Sequence, residues 1–226
     1  MVVIATECLP TMRPLIDFHR AGDAQALAQD LADFVAHCLT DTLRKQDRAL
    51  LVVSGGSTPG PFFDALSRKD IPWGQVVITL ADERWVSPNH PDSNERLVRQ
   101  RLLQGPAAEA IWMPFWREEM NTHEALHHVC GELDALPWPA SVVILGVGSD
   151  GHTASLFPHD ASWVESGPDP DRCLAIPAPM PPNVPVSRLS LSPTCLMDAE
   201  QVVIHLTGEA KWAVLQHAEQ EGSAHD

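Results

Sequence analysis

No window of the sequence approaches the ~20 consecutive apolar residues that a bilayer span requires. Nor does a basic stretch lead into an apolar run at the N-terminus, so the protein is expected to be soluble and uncleaved, with no membrane partner. Cysteines are few and scattered: Cys8, Cys38, Cys130, Cys173 and Cys195 are odd in number and never form a C-x-x-C pair. Neither a disulfide framework nor a zinc knuckle is expected from them, and a reducing cytoplasm fits best. Positive charge is scarce too. Fifteen Lys and Arg stand against 30 Asp and Glu, a formal −15, which repels phosphate backbones at long range, and no basic patch offsets it. Nucleic acid is therefore not an expected partner. A small anionic ligand would feel the same repulsion and would bind only where backbone amides and a few Arg or Lys converge.

The 226 residues are 44% hydrophobic, enough to bury one large core, and 1–226 is read as a single domain. Apolar runs rich in β-branched residues recur at Ala49 to Val53, Val76 to Leu80, Val142 to Leu145 and Val202 to Leu206, each predicting a buried strand. Helical spacing lies between them, first in Leu27, Leu31, Phe34, Val35 and Cys38, later in Ala125, Leu126, Val129 and Leu133. Such alternation predicts a parallel sheet covered on both faces, with ligands at the carboxyl ends of its strands. The run PAPMPPNVP from Pro177 to Pro185 can continue neither a helix nor a central strand, and is expected to cross the surface as a rigid flap or an ordinary connection.

Chemistry is sought where strands end. The first runs into Ser54-Gly55-Gly56-Ser57-Thr58-Pro59-Gly60, whose adjacent glycines let backbone approach a ligand and whose proline suits a helix start. A phosphate could dock there. The Lys-Ser/Thr ending of a Walker loop is absent, however, and a plain strand-to-helix turn would read the same. The second strand leads to Asp82-Glu83-Arg84, three charges that must pair or meet a ligand near a core. Downstream, Ser93 or Asn94 can cap a helix holding Leu97, Val98 and Leu102.

The third strand delivers Gly146-Val147-Gly148-Ser149-Asp150-Gly151-His152-Thr153. Its letters contain G-x-G-x-x-G, the dinucleotide fingerprint, but the following acidic residues, Asp169 and Asp171, lie in a proline-rich stretch and not at a strand end. A glycine-flanked Asp150-x-His152 fits acid–base work better, the carboxylate orienting the imidazole. Arg188 and Lys211 are the later cations at strand ends; singly, either reads as a solvated surface residue. His123, His127 and His128 share a predicted helix, and a solvated face explains them better than a metal.

With these residues in view the sequence resembles the 6-phosphogluconolactonase family, whose relatives include glucosamine-6-phosphate deaminase/isomerases. Four ordered blocks carry the resemblance: SGGSTP from Ser54, LADERWVSPNHPDSNERLV from Leu80, GVGSDGHTASLFP from Gly146, and RLSLSPTCL from Arg188 followed by GEAK. The third is highly specific and the first weak by itself. The resemblance implies a three-layer α/β/α sandwich, Rossmann-like and mainly parallel. It also implies opening of 6-phospho-D-glucono-1,5-lactone, the second step of the oxidative pentose phosphate pathway. Gly55, Gly56, Ser57, Thr58, Arg188 and Lys211 would then hold the phosphate, and His152 would be the general base, supported by Asp82, Arg84 and Asp150. No metal or organic cofactor is called for. The implied partner is a sugar-phosphate lactone, and the implied assembly a monomer or weak homodimer. In the deaminase branch a glutamate is expected where Phe157 stands, and an aromatic where Arg84 stands, so lactone hydrolysis is favoured over deamination. The family is further expected to continue past the G-x-x-K helix into another strand and a tryptophan-containing tail, so a C-terminal element is expected to be missing after His225-Asp226.

Overall fold

The structure is a computed structural model, and it describes residues 2–6, 15–158, 172–176 and 185–221. Most of the proline-rich run, Asp169, Asp171 and the last five residues lie outside the described residues.

Among the described residues there are ten strands and six α-helices, and the strands form two sheets. The large one has seven strands, in the order β2 (Leu15–His19), β1 (Val2–Thr6), β10 (Gln201–His205), β7 (Val142–Leu145), β3 (Ala49–Val53), β4 (Val76–Leu80) and β6 (Ile111–Trp112). From β10 to β6 all pairings are parallel, whereas β1 runs antiparallel to both of its neighbours. The α/β class and mainly parallel sheet expected from the alternation are thus observed. Every residue of β3, β4 and β7 is buried, and this is why these segments read as unbroken apolar runs: a strand covered on both faces has no polar side to alternate with.

Helix α1 (Ala24–Leu43) starts where Asp23 accepts a hydrogen bond from the Ala26 amide and buries Leu27, Leu31, Val35 and Leu39, one face at four-residue spacing. It packs on α2 (Gly60–Leu66) and against β3 and β7. In α3 (Asn94–Arg101) the predicted cap is Ser93, whose Oγ accepts from the Arg96 amide at 3.1 Å. Helix α4 (Thr122–Asp134) leaves His123, His127 and His128 exposed, as a solvated face requires. Among the described residues no helix is long and apolar enough to cross a membrane, and no group of three or more His, Cys, Asp or Glu could hold a metal ion.

A second sheet was not anticipated from the sequence. Strands β5 (Asp82–Arg84), β9 (Arg188–Leu191) and β8 (Cys173–Ile176) pair antiparallel in that order. The chain passes from β4 to β5 through Ala81 alone, whose amide donates to Val53 O at 2.9 Å and whose carbonyl accepts from the Leu191 amide at 2.8 Å. One residue therefore staples the two sheets together. Helices α5 (Pro193–Met197) and α6 (Glu209–Glu221) follow β9 and β10.

The cysteine expectation is corrected. Cys130 of α4 and Cys173 of β8 are joined as a disulfide, their Cα atoms 5.9 Å apart and 43 positions apart in sequence. The pairing arises because α4 packs on β8, a tertiary contact that no local spacing announces. Cys38 and Cys195 are free, and burial pushes both thiols up to about 11.

Candidate functional site

The carboxyl ends of β3, β4, β7 and β10 open into a cleft of about 340 Å³. Gly55, Gly56, Ser57, Thr58, Asp82, Arg84, His152, Arg188 and Lys211 all line it. Asp150 stands just behind, in contact with His152. Every residue that the resemblance assigns to the site therefore lies in or directly behind one cleft, although the segments that supply them span more than 150 positions.

The glycine-framed loop after β7 makes an imidazole–carboxylate pair. His152 Nδ1 lies 2.5 Å from Asp150 Oδ1, and the Gly148 amide donates to His152 O at 2.8 Å, closing the loop on itself. An ionised carboxylate only accepts, so the Nδ1 proton faces Asp150 and Nε2 keeps a free lone pair. Burial raises the Asp150 carboxyl, but the hydrogen bond and charge of His152 outweigh it and leave the group below its ordinary value. The His152 side chain is 29% exposed, so water and a ligand reach it. Two glycines in the loop are dictated by geometry. Gly151 sits at φ +89°, and a Cβ on Gly148 would fall 2.5 Å from Asp150 Oδ1 and closer still to His152 Nδ1. Turns, not a helix, follow through residue 158, and a dinucleotide fingerprint needs that helix.

Phe157 packs its ring 4.9 Å from that of His152, and the Arg188 guanidinium lies 5.5 Å from the same phenyl ring. Arg188 is held by β9 opposite Arg84, with Nη1 3.8 Å from Asp82 Oδ2 and 3.5 Å from Ser155 Oγ. Ser155 in turn donates to Asp82 Oδ2 at 2.6 Å. Burial pulls the Arg188 guanidinium down from its ordinary value, with Asp82 acting against it. At the opposite wall, Lys211 of α6 donates to Thr58 Oγ1 at 3.4 Å, which brings this cation onto the glycine-rich turn. Arg188 thus stands on the side of the imidazole, and Lys211 on the side of the turn.

The run Asp82-Glu83-Arg84 divides by the pleat of β5. Asp82 and Arg84 face the cleft, while buried Glu83 turns away and accepts from the amides of Arg84, Asn94 and Glu95 and from Ser93 Oγ, all within 3.1 Å. Burial pushes the Glu83 carboxyl up to about 7, against the pull of those amides. Its work is to anchor the start of α3. Asn94, read from the sequence only as a cap, proves to belong to the site. It donates through Nδ2 to Asp82 O at 2.8 Å, accepts from Arg84 Nη1 at 3.1 Å, and fills the space a side chain at Gly55 would need. Ser155 and His205 were also missed. His205 alone carried a signal, as a polar residue ending an apolar strand.

A mainly parallel α/β sheet whose strand ends hold an oriented imidazole, three cations and a glycine-rich turn defines an enzyme that acts on a small anionic molecule. Residues 22–226 match the family described as glucosamine-6-phosphate isomerases/6-phosphogluconolactonase. A 6-phosphogluconolactonase of Pseudomonas aeruginosa is 41% identical over 200 residues, covering 87% of this chain and 82% of that one. One of Rhizobium meliloti is 38% identical over 206 residues, covering 91% and 88%. The crystal structure of a 6-phosphogluconolactonase from Shewanella baltica superposes with a TM-score of 0.80 at 38% identity, over 87% of this chain and 83% of that one. The protein belongs to the glucosamine-6-phosphate isomerase/6-phosphogluconolactonase family.

Proposed function

We infer that this single α/β domain hydrolyses 6-phospho-D-glucono-1,5-lactone to 6-phospho-D-gluconate, in the pentose phosphate pathway. The observation that carries the reading is the Asp150–His152 pair standing in one cleft with the Ser54–Thr58 turn, Arg188 and Lys211. The amides of Gly55 to Thr58, with Lys211 and Arg188, hold the phosphate and pin the sugar ring before the imidazole. His152 Nε2 takes a proton from water as its oxygen attacks the lactone carbonyl carbon. The tetrahedral intermediate places negative charge on the former carbonyl oxygen, which Arg84 or an amide near Gly148 stabilises, at about 3 kcal/mol per donor. Collapse breaks the bond to the ring oxygen, which leaves as a hydroxyl after taking a proton, while the carboxylic acid loses its own. Asp150 holds the imidazole and offsets its charge once protonated.

The deaminase branch would need a second proton-carrying group beside the imidazole, and the residue there is Phe157, which cannot exchange a proton. A cytoplasmic setting suits a phosphorylated lactone, and the Cys130–Cys173 bond is the feature that stands against it. The test is a side-by-side measurement of acid release from 6-phosphogluconolactone and ammonia release from glucosamine 6-phosphate. Acid alone is expected, and ammonia alone overturns the reading. In the same assay His152→Ala should remove most turnover, whereas Arg188→Ala should chiefly raise KM.

A further inference from the structure

A histidine lining the cleft takes no part in the contacts above. His205 ends β10, level with Gly146 at the end of neighbouring β7, which separates it from β3, the strand that delivers Ser54. It lines the cleft, is only 4% exposed, and its Nδ1 has no hydrogen-bond partner. The edge of Phe62, in the helix that follows the glycine-rich turn, packs against its ring at 5.9 Å. Six residues later the chain returns to the cleft with Lys211 at the turn. A ring nitrogen buried without a partner is destabilising, because it loses water and gains nothing. Leucine or phenylalanine would fill this place at no such cost. The Ser54 hydroxyl, at the end of β3, is likewise buried and unpartnered, so two residues lining the cleft each carry an unpaired polar atom.

We propose that His205 is a binding residue for the substrate's phosphoryl group, its ring N–H donating to a phosphate oxygen beside Lys211. The inference rests on the lactonase reading above and adds to it a neutral donor that helps the enzyme tell phosphorylated from unphosphorylated lactones. Neutrality suits the position. Burial, with nearby positive charge from Lys211 acting the same way, holds the imidazole down to about 4, so the ligand-free cleft does not carry two adjacent cations. A dianionic phosphate then finds a donor that needs no proton uptake.

The test compares wild type with His205→Leu and His205→Gln on two substrates, 6-phosphogluconolactone and D-glucono-1,5-lactone, together with competitive inhibition by inorganic phosphate. Loss of a hydrogen bond to a charged group is expected to raise KM for the phosphorylated lactone and Ki for phosphate by about 10-fold or more in the leucine variant. The kcat should stay within about threefold, and kcat/KM on the unphosphorylated lactone within about twofold. The glutamine variant, which keeps a donor, should recover most of the loss. Unchanged KM and Ki in His205→Leu, or equal losses on both lactones, would overturn the proposal. If wild type releases no acid from 6-phosphogluconolactone the functional reading fails instead, and the Kd of inorganic phosphate, measured calorimetrically on wild type and His205→Leu, still reports on His205 independently.

Discussion

Replacing Gly148 by alanine should disable the enzyme without removing a single functional group. A Cβ at 148 would lie 2.5 Å from Asp150 Oδ1 and nearer still to His152 Nδ1. Ordinary carbon–oxygen contact is about 3.4 Å, so the pair must retreat by about 1 Å, and displacement on that scale costs about 100-fold in rate. Breaking the hydrogen bond that orients the imidazole also forfeits part of a general-base contribution of about 10² to 10⁴. The expected loss in kcat is about 10²- to 10³-fold, or about 3 to 4 kcal/mol of transition-state stabilisation. The cost to the fold is small, because the atoms that must move are the ends of two partly exposed side chains. It should stay near about 1 kcal/mol, a fall in Tm of about 2 to 4 °C. Steady-state kinetics and a thermal melt on the same preparation separate the two effects. Added to His152→Ala, the substitution should cost almost nothing more, since both act on one device. A Gly148→Ala enzyme with kcat within threefold of wild type, or one whose activity falls only in step with loss of folded protein, would refute the reasoning.

Three further outcomes are expected. Asp82→Asn leaves Arg188, only 12% exposed, without its carboxylate, and should cost about 3 kcal/mol in denaturant unfolding while raising KM. Cys173→Ser opens the 43-residue loop closed by the disulfide, worth about 4 kcal/mol on the chain-entropy account, so its Tm should match that of reduced wild type; a variant as stable as the oxidised protein would contradict the bond. His205 has a folded pKa of about 4 against an ordinary 6.5, so the unfolded chain binds the extra proton between those values, and stability falls as pH drops through that window. The contribution is up to about 3 kcal/mol, and His205→Leu should show a correspondingly flatter pH dependence of unfolding.

Legibility in the sequence followed burial. β3, β4 and β7 announce themselves because both their faces are covered and their residues are uniformly apolar. β5 was hidden by the same logic: its three residues are all charged, since one side faces the cleft and the other the start of α3. The Asp150–His152 pair was readable because two residues and their flanking glycines carry the whole device locally. Asn94 looked like an ordinary cap because its work depends on the vacancy at Gly55, almost forty positions away, and on Arg84 across a strand. The cysteine pair was missed for the same reason, its two halves meeting only once α4 lies on β8. Ser155 gave no sign at all, since a serine in a loop does not disclose that it bridges a buried carboxylate and a guanidinium.

The Ala81 junction also bears on how sequences of this kind can drift. With only one residue between Leu80 and Asp82, the parity of the β5 pleat is locked to that of β4. Insertion or deletion of one amino acid there would exchange inward and outward positions, sending Glu83 into the cleft and Asp82 with Arg84 toward α3. Length variation should therefore be tolerated in the exposed stretch around Asn89 to Asp92 and purged between residues 80 and 84, where even a neutral substitution count would mask a strict spacing rule.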